Sequence, residues 1–146
     1  MTYHFRVHED PDGRWAECLE LEGCVTQEGI SQDGKTQSLR VAMTEALELY
    51  LDDPPDSSRA CPLPDARLDE DATLARVSVN PELAFAVALR RTRADRRLTQ
   101  AAAARELGFP SLWSYQRLEA RPNPSLKTIR RILEVFPEFP VELALR

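Results

Sequence analysis

The 146 residues contain no apolar run near the roughly 20 that a helix needs to cross a bilayer, since charge breaks every long helical pattern. The expectation is a soluble protein. No apolar leader precedes Tyr3-His4-Phe5-Arg6, which points to the cytoplasm rather than to export. Cysteine is scarce: Cys18, Cys24 and Cys61 are odd in number and lack C-x-x-C spacing. That argues against a disulfide framework or a zinc ribbon and for reduced intracellular thiols. Neither an internal repeat nor a low-complexity tract is present.

What is present is a charge asymmetry. The overall balance is −5, yet residues 1–80 carry seven Lys/Arg against seventeen Asp/Glu, a balance of −10, whereas residues 81–146 carry twelve against seven, or +5. The length allows one domain or two small ones. The opposed signs favour two: an acidic module joined to one that faces an anion.

The first module reads β-β-β-α-β. Tyr3, Phe5 and Val7 alternate with His4 and Arg6, as in a strand half-buried in a sheet. Asp10-Pro11-Asp12-Gly13 supplies a turn, and Arg14 to Glu20 returns as a second strand. Gly23 interrupts the next apolar stretch, leaving a short third strand at Cys24-Val25-Thr26-Gln27 that ends near Gly29. The period then becomes helical from Thr36 to Leu51, with Leu39, Met43, Ala46, Leu47 and Tyr50 as one stripe. Thr36, after Asp33-Gly34, is the expected cap, and Pro54-Pro55 the stop. Residues 52–71, rich in Pro, Asp and Ser, read as a loop or linker. Ala75, Val77 and Val79 mark a final strand.

From Pro81 onward the texture is all-α, so the fold class expected for the chain is α+β. Leu83 to Arg97 holds no helix breaker. Thr99 can cap a helix through Ala103, Ala104 and Leu107, with small residues where two helices would cross closely and Gly108 to end it. A second helix is expected over Ser111 to Glu119. On it Tyr115 and Leu118 share the packing face at i, i+3, while Trp113 and Arg117 share an outward face at i, i+4. Arg117 could reach the O6 and N7 acceptors of guanine, Ser114 or Gln116 a base edge or phosphate, and Trp113 sugar or a thymine methyl. A third helix begins at Ser125, with Leu126, Ile129, Ile132 and Leu133 inward. Arg90, Arg91, Arg96 and Arg97 count only collectively, because each alone is as ordinary on a solvated surface as on phosphate.

Leu98-Thr99-Gln100, Gly108, Arg117-Leu118-Glu119 and Asn123-Pro124-Ser125-Leu126 resemble the Cro/C1-type helix-turn-helix repressor domain. That resemblance implies phosphate contacts from Arg93 and Gln100 and base reading from the start of the second motif helix. The implied DNA-binding set is Arg93, Gln100, Ser111, Leu112, Trp113, Ser114, Gln116, Arg117, Arg121 and Lys127. The sequence departs from the family by one extra residue around Phe109 to Leu112 and by a shortened turn at Ala120-Arg121, which bears on which residues read bases.

Gly23-Cys24-Val25-Thr26-Gln27 and Glu45-Ala46-Leu47, within Asp12 to Leu51, resemble the HicB antitoxin family. The resemblance implies a partial ribonuclease-H-like module over residues 1–80 that masks a small basic HicA-like ribonuclease toxin. The DNA-binding domain over residues 81–146 would repress the shared operon as a homodimer or larger assembly. Charge alone supports a weaker statement: an acidic surface favours a cationic protein partner over RNA. Two other readings stand beside it, a stand-alone transcriptional regulator and a nuclease. His4 and His8 share a strand face, and Cys18 and Cys24 lie near, but the cysteines lack ligand spacing and most carboxylates fall in turns. No enzyme activity, metal or cofactor is expected, and Cys24 reads as a small buried residue.

Overall fold

The computed structural model describes residues 1–30 and 36–145. The chain is mixed α+β and divides into two units. A sheet unit comprises Thr2–Leu51 and Pro64–Val79, and a helical unit comprises Asn80–Arg146 together with Met1 and Asp52–Leu63.

In the sheet unit, β1 (Thr2–Asp10), β2 (Gly13–Cys18), β3 (Val25–Gln27) and β6 (Ala75–Ser78) form an antiparallel sheet of order β3-β2-β1-β6. The Asp10 to Gly13 turn closes the β1–β2 hairpin, with the Asp12 amide donating to Asp10 Oδ1 at 3.0 Å and Gly13 at φ +132°. Glycine accepts that φ without a Cβ clash. β4 (Gly29–Ile30) and β5 (Thr36–Gln37) add a two-stranded ladder not foreseen in the sequence.

Helix α1 (Leu39–Leu51) packs on β2 and β3 through Leu39, Ala42, Met43, Leu47 and Leu51. It starts three residues later than expected. Ser38, not Thr36, supports its first turn, accepting from the Val41 amide at 3.4 Å, while Thr36 is drawn into the β4–β5 ladder; Asp33-Gly34 lies outside the described residues. The buried stripe omits Ala46 and Tyr50, which are half-buried, and Tyr50 instead donates its hydroxyl to the Glu22 carbonyl at 2.9 Å.

Strict alternation also fails on β1. Tyr3, His4 and Phe5 are all buried, whereas Val7 is 39% exposed. The reason is topological: β6 pairs only with Thr2–Phe5, so the outer half of β1 has β2 as its one neighbour in the sheet and loses cover.

The helical unit is organised around α2 (Pro81–Asp95), whose residues Ala84 to Arg90 are buried without interruption. Pro81 sits in its first turn, where a missing amide proton is no loss, and the Asn80 side chain accepts from the Leu83 amide. α3 (Gln100–Glu106), α4 (Leu112–Ala120), α5 (Leu126–Val135) and α6 (Val141–Leu145) follow, with α2 packing on α4 and α6, and α3 on α4. Phe85, Leu107, Tyr115, Ile132 and Phe136 are among the fully buried side chains.

Leu126 was expected inward and is 84% exposed. At about 100° per residue it lies roughly 120° around α5 from Ile132, whereas Phe136 falls within about 40° of it and takes the core position.

The segment 52–71, expected as a loop or linker, has no helix or strand before Ala66 and is divided between the two units. Residues 52–63 belong with the helical unit and bring Asp52, Asp53, Asp56 and Arg59, lowering its balance from +5 to +3. Residues 64–71 return to the sheet unit and include a 3-10 helix, Ala66–Glu70.

Candidate nucleic-acid interface

Three capping serines and threonines set the geometry of α3 to α5. Thr99 accepts from the Ala102 amide at 3.1 Å, Ser111 from Ser114 at 3.1 Å and Ser125 from Thr128 at 3.2 Å. Each satisfies an amide that the first helical turn leaves without a partner. Gly108, at φ +67°, lets the chain leave α3 sharply, and the buried Ala103 and Ala104 allow α4 to approach.

Beneath α4 lies a buried polar hub. Glu119, 1% exposed, takes Arg93 Nε at 2.6 Å and Nη2 at 3.2 Å, the Tyr115 hydroxyl at 2.6 Å and Gln100 Nε2 at 2.7 Å. Gln116 Nε2 in turn donates to Gln100 Oε1 at 3.1 Å. Burial would lower the pKa of Arg93, but the hydrogen bond and charge of Glu119 outweigh it and raise the value. Burial, reinforced by Glu119, pushes the Tyr115 phenol far above its ordinary range. Both groups therefore keep their protons, and the hub fixes the inner face of α4 against α2 and α3.

The outer face of α4 is free of that hub. Trp113 is 65% exposed, and the exposed Arg117 guanidinium lies 5.5 Å from the centre of its ring. A cation above an indole face is held by the ring quadrupole. Trp113, Ser114, Arg117, Arg121, Asn123 and Thr128 line a shallow cleft on this side.

The ten residues singled out in the sequence are thus sorted. Leu112, Trp113, Arg117, Arg121 and Lys127 are exposed. Ser111 is also exposed, but its hydroxyl serves as the α4 cap and meets Oγ of Ser114, itself half-buried, at 2.9 Å. Gln100 and Gln116 are half-buried and bonded to each other. Arg93 is 5% exposed, pairs with Glu119 and donates to the Leu98 carbonyl at 3.0 Å, which leaves it a brace between helices rather than a surface cation. Asn123 and Thr128 were missed because a loop residue and a helix-face threonine carry no periodic signal of a cleft. Of the arginines weighed collectively, Arg90 is buried and faces Asp53, Arg91 pairs with Asp95, and Arg96 pairs with Glu138 beneath the Phe136 ring.

In the sheet unit, His4 is 1% exposed between two carboxylates, with Nδ1 2.6 Å from Glu20 and Nε2 3.0 Å from Asp69. Glu20 also accepts the His4 amide at 3.1 Å and the Asp65 amide at 3.4 Å. Burial opposes the imidazolium, but the bonds to Glu20 and Asp69 outweigh it, so the pKa of His4 is raised. The cluster ties the 65–70 segment to β1. Cys18 and Cys24 are buried neighbours; their mutual hydrogen bond, with burial, holds the Cys18 thiol protonated. Among the described residues no group of three His, Cys, Asp or Glu is arranged to hold a metal ion. No described helix is long and apolar enough to cross a membrane.

No family model matches the chain, and no curated protein matches it.

Proposed function

We propose that the chain is a sequence-specific repressor that reads duplex DNA with α4 of a helix-turn-helix formed by α3 and α4. We further propose that it acts as a HicB-type antitoxin, whose acidic sheet module has the partial ribonuclease-H-like fold and masks a small basic ribonuclease.

The observation that carries the DNA-binding reading is the two-sidedness of α4. Tyr115, Leu118 and Glu119 are locked into the protein, while Trp113 and Arg117 stand together on the outside. The mostly exposed Trp113 indole leaves apolar surface open to a partner, and a guanidinium already held against it loses little conformational freedom on meeting a guanine edge. In helix-turn-helix docking the second helix enters the major groove with its early residues on the base edges, which is where Trp113 and Ser114 fall on α4. Electrostatics supports the same assignment, since the acidic residues gather in the sheet unit and leave the helical unit cationic at +3 by the charges counted above. Paired half-sites read by a homodimer or larger assembly would multiply the limited specificity of one short helix.

Binding of the purified chain to the duplex upstream of its own reading frame, against a scrambled duplex of equal length, tests the repressor reading. Preference for the upstream duplex is expected. Equal binding or none overturns it. Affinity purification from native cells tests the antitoxin reading: a short basic ribonuclease should be recovered, and its absence would leave a stand-alone regulator.

A further inference from the structure

We propose that Asp52–Leu63 is a strap that covers the backbone-facing edge of α3 and must lift before the helical unit can close on DNA, an inference that rests on the DNA-binding reading above.

The segment is built onto the helical unit. The Pro55 carbonyl accepts from Gln100 Nε2 at 2.8 Å, at the first residue of α3. Asp53 accepts from Arg59 Nη1 at 3.0 Å within the strap and faces the buried Arg90 Nη1 of α2 at 3.4 Å. Cys61 anchors the far end as a buried side chain. Between these anchors Asp56, Ser57 and Ser58 line a cleft with Leu98, Thr99 and Gln100.

That location matters because the first helix of the motif crosses the phosphodiester backbone while the second enters the groove. The strap places Asp56 along this edge, and a carboxylate beside phosphate repels it. It also occupies the Gln100 amide, whose other end is bonded to Gln116 on α4. A contact from Gln100 Nε2 to phosphate therefore competes with its contacts to Pro55 and to Glu119.

The anchoring is incomplete. Asp53 Oδ2 is buried without a hydrogen bond, facing Arg90 at a distance longer than a good charge-assisted bond. A buried acceptor left unsatisfied costs free energy and offsets part of what the Asp53–Arg90 pair contributes to holding the strap.

Two aspartates of equal charge separate release from simple charge removal. Asp53→Asn weakens the anchor, whereas Asp56→Asn removes the same charge from an exposed position in the cleft. Affinities of wild type and both variants for the best duplex selected from a random library are measured by fluorescence anisotropy, with circular dichroism to verify folding. In parallel, hydrogen exchange of residues 52–63 in the wild type is followed with and without that duplex, so the test does not depend on a variant folding. Asp53→Asn should bind at least tenfold more tightly than Asp56→Asn, and strap amides should exchange faster in the complex. If DNA is bound but the two variants gain equally, or the strap becomes more protected, the strap proposal alone is overturned. If no duplex is enriched or bound by any of the three proteins, the DNA-binding reading falls and takes the strap with it.

Discussion

Replacing Glu119 by leucine removes the acceptor shared by Arg93, Tyr115 and Gln100 while keeping the side chain near its original size. The Arg93 guanidinium would remain 5% exposed with its carboxylate gone. Breaking a buried ion pair from one side costs about 3–5 kcal/mol, because the remaining charge is left uncompensated. A domain of this size holds roughly 5–15 kcal/mol in all, so the helical unit would lose much of its stability. At about 4–8 °C per kcal/mol for a small domain, the unfolding midpoint should fall by on the order of 12–40 °C. Arg93→Met combined with Glu119→Leu takes away the stranded charge and should recover about 1–2 kcal/mol relative to Glu119→Leu alone, the shortfall reflecting the orphaned Tyr115 and Gln100 donors. Native-state hydrogen exchange of α2 and α4 amides reads this unit separately from the sheet unit. A loss below about 1 kcal/mol for Glu119→Leu, or a double variant no more stable than that single one, would refute the view that the hub holds α4 in place.

Other outcomes follow from the same geometry. Trp113→Ala should leave stability within about 0.5 kcal/mol, since the ring is mostly exposed, yet weaken binding to the selected duplex about tenfold; thermal melts and anisotropy together check it. Ser111→Ala should cost about 1 kcal/mol of helical-unit stability by uncapping α4, measured by urea titration. His4 sets a pH dependence for the sheet unit. Its folded pKa is raised, so its contribution is fully present below the unfolded value near 6.5 and is lost as pH rises through the folded value. Urea midpoints of the sheet unit should therefore be higher at pH 6 than at pH 8.5, and His4→Gln should abolish that difference.

The features legible in the sequence were those written in local chemistry. Thr99 as a cap and Gly108 after α3 were each foreseen because a single residue satisfies a single backbone requirement, whereas Ser111 and Ser125 were read only as helix starts and prove to be caps. The two faces of α4 were equally readable from spacing, with Tyr115 and Leu118 inward and Trp113 outward. What escaped notice depends on partners distant in the chain. His4 alternates like a surface residue and is buried because Glu20 and Asp69, sixteen and sixty-five residues away, close over it. Arg93 looks like any arginine on a cationic helix until Glu119, twenty-six residues on, takes its charge. Likewise, the composition of residues 52–63 reads as a linker, and only the Pro55–Gln100 and Asp53–Arg90 contacts reveal a segment fixed to the helical unit.

Binding of the wild type and of Arg117→Ala to every single-base variant of the selected duplex examines the role of α4 most directly. The wild type should discriminate strongly at one G·C pair, and Arg117→Ala should lose about 1–3 kcal/mol of that discrimination while retaining the rest of the profile. A uniform weakening across all the variants, or a wild-type profile already flat, would contradict base reading by Arg117.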